Sequence, residues 1–180
     1  MSGGYWGREL RILLDSGAVE QREVSPELLR RYIGGAGVAA KILADEVPAE
    51  CGPLEPGNLL IFSTGPFQAS KLSGSAKFSI VTRSPLTGIF ADSAAGADWG
   101  IRFKRTGFDF LTLQGASVGP VYILITDNRA EILPADDIWG MGALEATDAL
   151  RERHPGASVT AIGPAGERKI ALAGMLVDGF

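Results

Sequence analysis

The sequence is poor in the residues that build metal centres and disulfide frameworks. Its 180 residues contain one cysteine, Cys51, and one histidine, His154. One thiol cannot close an internal disulfide, and one thiolate or one imidazole cannot by itself hold a zinc ion or an iron–sulfur cluster. These scarcities exclude a disulfide scaffold, a structural zinc site of cysteines and histidines, and an iron–sulfur cluster ligated by this chain.

Two further absences concern positive charge and long apolar runs. The formal net charge is −4, and no run of basic residues is present to contact a phosphate backbone. No apolar run approaches the length that spans a bilayer, and the first ten residues, MSGGYWGREL, contain no signal-peptide core. We therefore expect no nucleic-acid partner, no membrane association and a cytoplasmic protein.

What the sequence does contain is ample material for a hydrophobic core. Hydrophobic residues make up 46% of the chain, enough to fold one domain or one large piece of a bigger protein. Glycine occupies 24 positions, without the period of collagen or the polarity of a disordered segment. We interpret these glycines as turns between strands.

Turn signals and apolar alternation predict two halves with the same order of elements: hairpin, helix, strand, Gly-Pro pair and strand. In the first half, Ser25-Pro26 starts a helix that is interrupted at residues 34–37. The predicted strands there are 9–14, 18–24, 59–63, 77–82, 88–91 and 108–114. In the second half the predicted elements are strands 121–126, 130–133 and 159–162 and a helix over 143–153.

This order predicts an α+β fold of two pseudo-repeated β-hairpin/helix/strand halves that form two mainly antiparallel sheets. Alternating βα crossovers are missing, which disfavours a doubly wound parallel sheet. A loop of small residues, Ala94-Ala95-Gly96-Ala97, follows the strands of residues 77–91. Because no large side chain stands in the way there, the backbone can lie against a flat ligand.

Several motifs have a purely structural explanation as well as a functional one. Residues 35–40 match the G-x-G-x-x-A wording of a dinucleotide fingerprint but follow a helix rather than a strand, which favours a helix break. A phosphate at that helix N-terminus is kept as a minor alternative. Ser93 lacks a nucleophile elbow, and His154 lies at a helix end. Arg102, Lys104 and Arg105 either steer an anion or form a solvated face.

Seven segments, in this order and spacing, resemble the aldehyde ferredoxin oxidoreductases over essentially the whole chain. They are Gly4-Tyr5-Trp6-Gly7-Arg8, Tyr32-Ile33-Gly34-Gly35, Thr64-Gly65-Pro66, Ser84-Pro85-Leu86-Thr87-Gly88, Lys104-Arg105-Thr106-Gly107-Phe108-Asp109, Ile138-Trp139-Gly140 and Ile162-Gly163-Pro164-Ala165-Gly166-Glu167. The resemblance implies a domain at 1–180 that forms the base for a tungsten, or molybdenum, bis-pterin cofactor. The metal is then held by dithiolene sulfurs, and a magnesium ion bridges the two pterin phosphates.

The resemblance also implies which residues contact that cofactor. Lys77 matches a family arginine that meets a pterin phosphate, and Ala94 matches an asparagine that helps to hold the magnesium ion. Alanine has no side-chain oxygen, so the ion would need a backbone carbonyl, a water, Asp92 or Ser93. The predicted cofactor-binding residues are Lys77, Asp92, Ser93, Ala94, Ala95 and Gly96. No catalytic residue is predicted in this chain, and no metal site is predicted apart from these cofactor contacts.

In the family, two helical domains follow and carry the 4Fe-4S cysteines and the catalytic acid and histidine. We therefore expect either the first domain of a longer enzyme or a subunit completed by another chain, inactive alone and inclined to bind a partner or itself. Three functions remain open. They are the base of an enzyme that oxidises aldehydes to carboxylic acids with ferredoxin as acceptor, a tungsten reductase of the benzoyl-coenzyme A type, and a scaffold without cofactor.

Overall fold

The computed structural model describes residues 3–179, which form five helices and ten strands of an α+β fold. Both ends of the domain predicted at 1–180 lie outside the described residues. The first half contains the hairpin, the paired helices and the strands that the sequence predicts. Its elements are β1 (Arg8–Leu13), β2 (Ala18–Glu23), α1 (Pro26–Tyr32), α2 (Gly35–Glu46), β3 (Leu59–Ser63), β4 (Phe78–Arg83), β5 (Phe90–Ala95), α3 (Trp99–Arg105) and β6 (Phe110–Gln114).

The second half continues in the same order, and its last two strands are short. Its elements are β7 (Val121–Thr126), β8 (Arg129–Pro134), α4 (Ala143–Arg153), β9 (Thr160–Ala161), α5 (Pro164–Glu167) and β10 (Leu176–Val177). Each half thus has a hairpin, helical structure, a strand, a Gly-Pro pair and a strand that returns antiparallel to the one before it.

All strands of the first half form one six-stranded sheet in the order β2-β1-β6-β3-β4-β5. The strand β6 lies between β1 and β3, parallel to β1 and antiparallel to β3, whereas the remaining pairs of this sheet are antiparallel. The edge strands β2 and β5 are mostly exposed, as expected for strands that pair on one side only.

Two helices cover one face of this sheet and the second half covers the other. Inward side chains of α1 and α2 pack on Leu59, Ile61, Val81 and Phe110. On the opposite face, Phe62, Phe78 and Leu111 pack against residues of β7, β8 and β10. A third cluster lies between α4 and the outer face of the second half. The molecule is therefore layered as helices, sheet, second-half strands and helix.

The α+β class and the mainly antiparallel pairing are confirmed, but the described residues form three sheets rather than two. In the second half β7 pairs with β8, and β9 pairs with β10, and the two pairs are not joined. The predicted strand 88–91 instead runs over 90–95, because the small residues after Ala91 continue the ladder with β4.

The predicted interruption of the first helix, at residues 34–37, is shorter in the structure and begins one residue earlier. The chain breaks at Ile33 and Gly34, which have φ of 67° and 150°, and residues 35–37 form the first turn of α2. The N-terminus of α1 follows the sequence closely: Ser25 caps it by accepting a hydrogen bond from Leu28 N–H at 3.3 Å, and Pro26 occupies the first turn.

Candidate functional site

The predicted cofactor residues lie together at the free edge of the large sheet. Asp92, Ser93, Ala94 and Ala95 belong to β5, which pairs with β4 on its inner side. Lys77 comes one position before β4 and Gly96 one position after β5, at the same end of this strand pair. The prediction that Ala94 and Ala95 form a loop is therefore wrong, since both lie in the strand, and the loop begins at Gly96.

Alternation along β5 divides these residues between the two faces of the sheet. Asp92 and Ala94 pair with Val81 and Ser79 and share the face that α2 covers. Ser93 pairs with Ile80, and this pair faces the other side, toward the second half. Asp92 is therefore the side-chain oxygen that shares a face with Ala94.

The N-terminus of α2 approaches the same end of the sheet. A β-carbon built on Gly35 would lie 3.7 Å from Ser79 Oγ, and Ser63 Oγ donates a hydrogen bond to the Gly35 carbonyl at 2.7 Å. Since Ser63 pairs with Ser79 and Ser79 pairs with Ala94, one row of small residues crosses β3, β4 and β5.

Both the chemistry and the open space of this edge suit a large flat ligand that carries phosphate groups. Lys77, Asp92, Ser93 and Ala94 are exposed, and a β-carbon on Gly96 would meet nothing within 4 Å. The outward peptide groups of β5 have no strand beside them among residues 3–179. A cation, two oxygen-bearing side chains and free backbone groups are thus available without a bulky side chain above them.

A buried ion pair fixes the loop that follows β3, at the inner end of the row of small residues. Lys104 Nζ donates to Asp109 Oδ1, and the two side chains are 1% and 0% exposed. Lys104 Nζ also donates to the Gly65 carbonyl at 3.2 Å, and Gly7 N–H donates to Asp109 Oδ2 at 2.6 Å. The pair therefore ties α3 to two glycine turns that are distant in sequence.

Neighbouring bonds join further segments to the same point. Trp6 Nε1 donates to the Lys104 carbonyl at 2.7 Å, and Tyr5 OH donates to the Ile33 carbonyl at 2.6 Å. Thr64 N–H and Oγ1 both donate to the Asp109 carbonyl, at 3.0 and 2.9 Å. Four of the seven segments on which the resemblance rests, those beginning at residues 4, 32, 64 and 104, thus meet around one ion pair. We call Lys104 and Asp109 with these bonds the latch.

Burial sets the electrostatics of the latch. It lowers the pKa of the Lys104 ammonium, and the hydrogen bond and charge of Asp109 oppose that shift without cancelling it. Burial and, second, the charge of Asp109 raise the pKa of the Tyr5 hydroxyl. The Lys104 ammonium also lies 5.6 Å from the Tyr5 ring centroid, a cation–π contact that favours its charged form.

The structure separates the remaining candidates. Lys104 is buried, so the interpretation of residues 102–105 as one solvated basic face is wrong for this lysine, whereas Arg102 and Arg105 are exposed. His154 caps α4 and its Nε2 lies 3.1 Å from Tyr122 OH. Within residues 3–179 no group of three or more His, Cys, Asp or Glu side chains is placed to hold a metal ion, and no helix suffices to cross a membrane.

The motif of residues 35–40 opens α2 directly after α1, without a strand before it, so the structural requirement of a dinucleotide fingerprint is not met. The latch was missed by sequence reasoning. Its only sequence signal is that Lys104 and Asp109 bracket a Thr-Gly turn within one of the seven segments.

Together the fold and the edge define an α+β domain that presents a broad, small-residue surface beside a helix N-terminus. The family model described as aldehyde ferredoxin oxidoreductase, N-terminal domain, matches residues 9–180. The chain belongs to this family.

Relatives in the family are much longer than this chain. The tungsten-containing aldehyde ferredoxin oxidoreductase of Thermococcus kodakarensis is 35% identical over 179 residues, and that of Pyrococcus furiosus is 34% identical over 179 residues. Each match covers 98% of this chain and 29% of the relative. The aliphatic sulfonate oxidoreductase, WOR-like subunit, of Pyrococcus furiosus is 30% identical, over 96% of this chain and 30% of that protein.

A solved structure is similar throughout the fold. It is described as the active site complex BamBC of benzoyl coenzyme A reductase in complex with 1,5 dienoyl-CoA. The TM-score is 0.94 with 34% sequence identity, and the alignment covers 97% of this chain and 27% of that one. This chain is therefore an N-terminal domain of the kind found in tungsten enzymes of this family, and it spans less than a third of their length.

Proposed function

We propose that residues 1–180 are the cofactor-base domain of a cytoplasmic tungsten or molybdenum enzyme that oxidises aldehydes to carboxylic acids. The observation that carries the proposal is the match of the family domain over residues 9–180, on a structure whose open β5 edge fits the ligand. A bound bis-pterin metal would accept two electrons as an aldehyde and water become a carboxylic acid and two protons, and would pass the electrons to ferredoxin.

In this proposal the chain binds and orients, and the rest of the enzyme supplies catalysis. Lys77 contributes a positive charge to a pterin phosphate, as a point charge rather than the planar fork of an arginine. The residues from Ala94 to Gly96 leave room for the pterin above the strand end. The helical domains or a partner subunit would contribute the 4Fe-4S cluster and the catalytic acid and histidine.

For the bridging magnesium ion, Asp92 is the better side-chain donor. Ala94 offers its carbonyl alone, and Asp92 lies two residues away on the same face of β5. Ser93 lies on the opposite face of β5. Its hydroxyl and the Asp92 carboxylate would therefore reach one ion only from different sides of the sheet. A carboxylate, a backbone carbonyl and waters are ordinary magnesium ligands.

The test is the cofactor content of the full-length natural protein, purified without oxygen from tungsten-replete cells. We expect tungsten or molybdenum together with an excess of pterin over metal. The variant Lys77→Glu should retain less metal and pterin than wild type, whereas Lys71→Glu, which changes another exposed lysine of the first half, should retain the wild-type content. Wild-type protein without metal and pterin would contradict the proposal and leave the scaffold reading.

The benzoyl-coenzyme A type of reductase is the second candidate, and the similarity of TM-score 0.94 to the BamBC complex favours it specifically. Both candidates share this base domain, so cofactor content does not separate them. Steady-state assays of the loaded enzyme do: ferredoxin reduction by aldehydes supports the first, and reduction of an aromatic coenzyme A thioester supports the second.

A further inference from the structure

Five of the six residues in β7, Val-Tyr-Ile-Leu-Ile-Thr, are apolar, so both faces of this strand are apolar. A strand with two apolar faces belongs to a sheet that is covered on both faces, and here the large sheet covers one face and α4 covers the other. Among residues 3–179, however, β7 pairs with β8 alone, and its side chains are only half-buried. Its counterpart in the first half, β1, has four buried residues out of six. The sequence of β7 therefore suits a neighbour that the described chain does not supply.

The free edges of β7 and β9 border one large cavity of about 1050 Å³. Consecutive residues line it along β7, 121–126, and along β9 with its flanking residues, 158–162, which is the pattern of a strand edge rather than a strand face. The floor consists of alternate residues of the large sheet, and the roof includes Ala146 and Leu150 from one side of α4. We call this cavity the slot.

Hydrogen bonding shows which peptide groups face the slot. Ala135 N–H donates to the Pro120 carbonyl at 2.9 Å, so in the alternating ladder Ile123 and Ile125 direct their peptide groups away from β8. Asp178 N–H donates to the Val159 carbonyl at 2.8 Å, so Thr160 likewise points away from β10. The buried Thr160 hydroxyl also lacks a hydrogen-bond partner in the part of the chain that the structure describes. Peptide groups on both strands, those of Ile123 and Ile125 on β7 and of Thr160 on β9, thus have no main-chain partner among residues 3–179.

The internal repeat identifies the missing neighbour. In the first half, β6 fills the position between β1 and β3, parallel to the first and antiparallel to the second. In the second half the corresponding strands are β7 and β9, and the position between them is the slot. A drug-sized ligand would not satisfy two opposed rows of peptide groups, whereas a strand does.

We infer that the slot takes a β-strand from the polypeptide that follows Phe180 in the complete enzyme, parallel to β7 and antiparallel to β9. This inference rests on the proposed function, in which the chain is the first part of a longer protein, and on relatives of which it covers 29%. The strand is about five residues long, like β6, and apolar on both faces. Because β6 begins at Phe110, 32 residues after β4 begins at Phe78, its counterpart begins about 30 residues after Leu176.

Residue-resolved hydrogen exchange on the full-length natural enzyme tests the inference. The slot-facing amides of Ile123, Ile125 and Thr160 should exchange at least about 100-fold more slowly than the amides of Ala130 and Ile132. The latter two face the outer side of β8 and serve as a matched control, since they pair with Ile125 and Ile123 and pack on the same face. A protected run of about five amides should also begin about 30 residues beyond Leu176.

Exchange of Ile123 and Ile125 within about 10-fold of the β8 controls overturns the inference. So does protection of the slot without a protected run after Leu176, the result expected if a second copy, a partner subunit or a small apolar ligand fills it. Tungsten and pterin measured on the same sample keep the two proposals apart. A loaded enzyme with an open slot refutes this inference alone, and a filled slot in metal-free protein refutes the proposed function alone.

Discussion

Replacing Lys104 by methionine should destabilise the domain strongly. The substitution keeps an apolar stem of similar length and removes the only cation that bonds to Asp109 among residues 3–179; Asp109 is fully buried. Removing one partner of a buried ion pair costs about 3–5 kcal/mol, since the remaining charge stays in a medium of low polarity. The Gly65 carbonyl also loses its bond from Nζ. We expect a loss in this range for Lys104→Met.

Urea unfolding of the 180-residue chain, followed by circular dichroism, measures the loss. With a slope of about 2 kcal/mol per molar urea, 3–5 kcal/mol lowers the midpoint by about 1.5–2.5 M. Arg105→Met changes an exposed neighbour on the same helix and should stay within about 0.5 kcal/mol of wild type. The double variant Lys104→Met with Asp109→Leu should recover much of the loss, because no buried charge then remains.

A midpoint for Lys104→Met within about 0.5 M of wild type would refute this reasoning. It would mean that water reaches Asp109 or that the loops rearrange to supply other donors. A double variant that loses the sum of both single losses would equally contradict it, since the cost would then come from packing and from the bonds to the glycine turns rather than from an unpaired charge.

Three further outcomes are expected from urea midpoints. Gly34→Ala should cost about 2 kcal/mol or more, because φ is 150° and a β-carbon would lie 2.8 Å from a backbone carbonyl oxygen, whereas Gly119→Ala, in open space, should be neutral. Phe110→Ala, at a fully buried position, should cost about 3–5 kcal/mol. Burial raises the pKa of Asp178, but bonds from a serine hydroxyl, a backbone N–H and an arginine outweigh it, so the net pKa is lowered. The advantage of wild type over Asp178→Asn should therefore be complete above pH ~4 and fall as the pH drops through the lower folded-state value.

Local signals in the sequence predict most of the first half. The Ser25 cap, the Pro26 start and the alternation of β1 are short-range features, and the structure follows them within a few residues. The strand β5 is longer than predicted because its small and polar residues have no apolar alternation, and only the ladder with β4 reveals it. The helix α3, over residues 99–105, was not predicted, although Asp98 directly before it and Gly107 after it are residue types that favour helix ends.

The candidate site divides in the same way. The residues of the β5 edge were identified through the resemblance, and the structure brings them to one end of a strand pair. The role of Lys104 was not accessible from the sequence, because a lysine between other basic residues looks solvated. Its burial depends on partners at residues 5, 65 and 109, and long-range contacts such as the first two have no signature in a single chain.

The latch is connected to the β5 edge through β3 and β4, although the charged groups of the two sites are not neighbours. Thr64 and Gly65, which the latch holds, come directly after Ser63 at the end of β3. Ser63 pairs with Ser79, and Ser79 pairs with Ala94, so the row of small residues that ends at the open edge begins beside the latch. The Thr64 carbonyl also accepts the Gly35 N–H at 3.1 Å, which sets the start of α2 against the same row. Small side chains cannot fix the spacing of such a surface by their own packing, since they make few contacts. The buried ion pair provides directional, charge-assisted bonds to the loops instead, and this explains why four of the seven family segments meet at a point remote from β5.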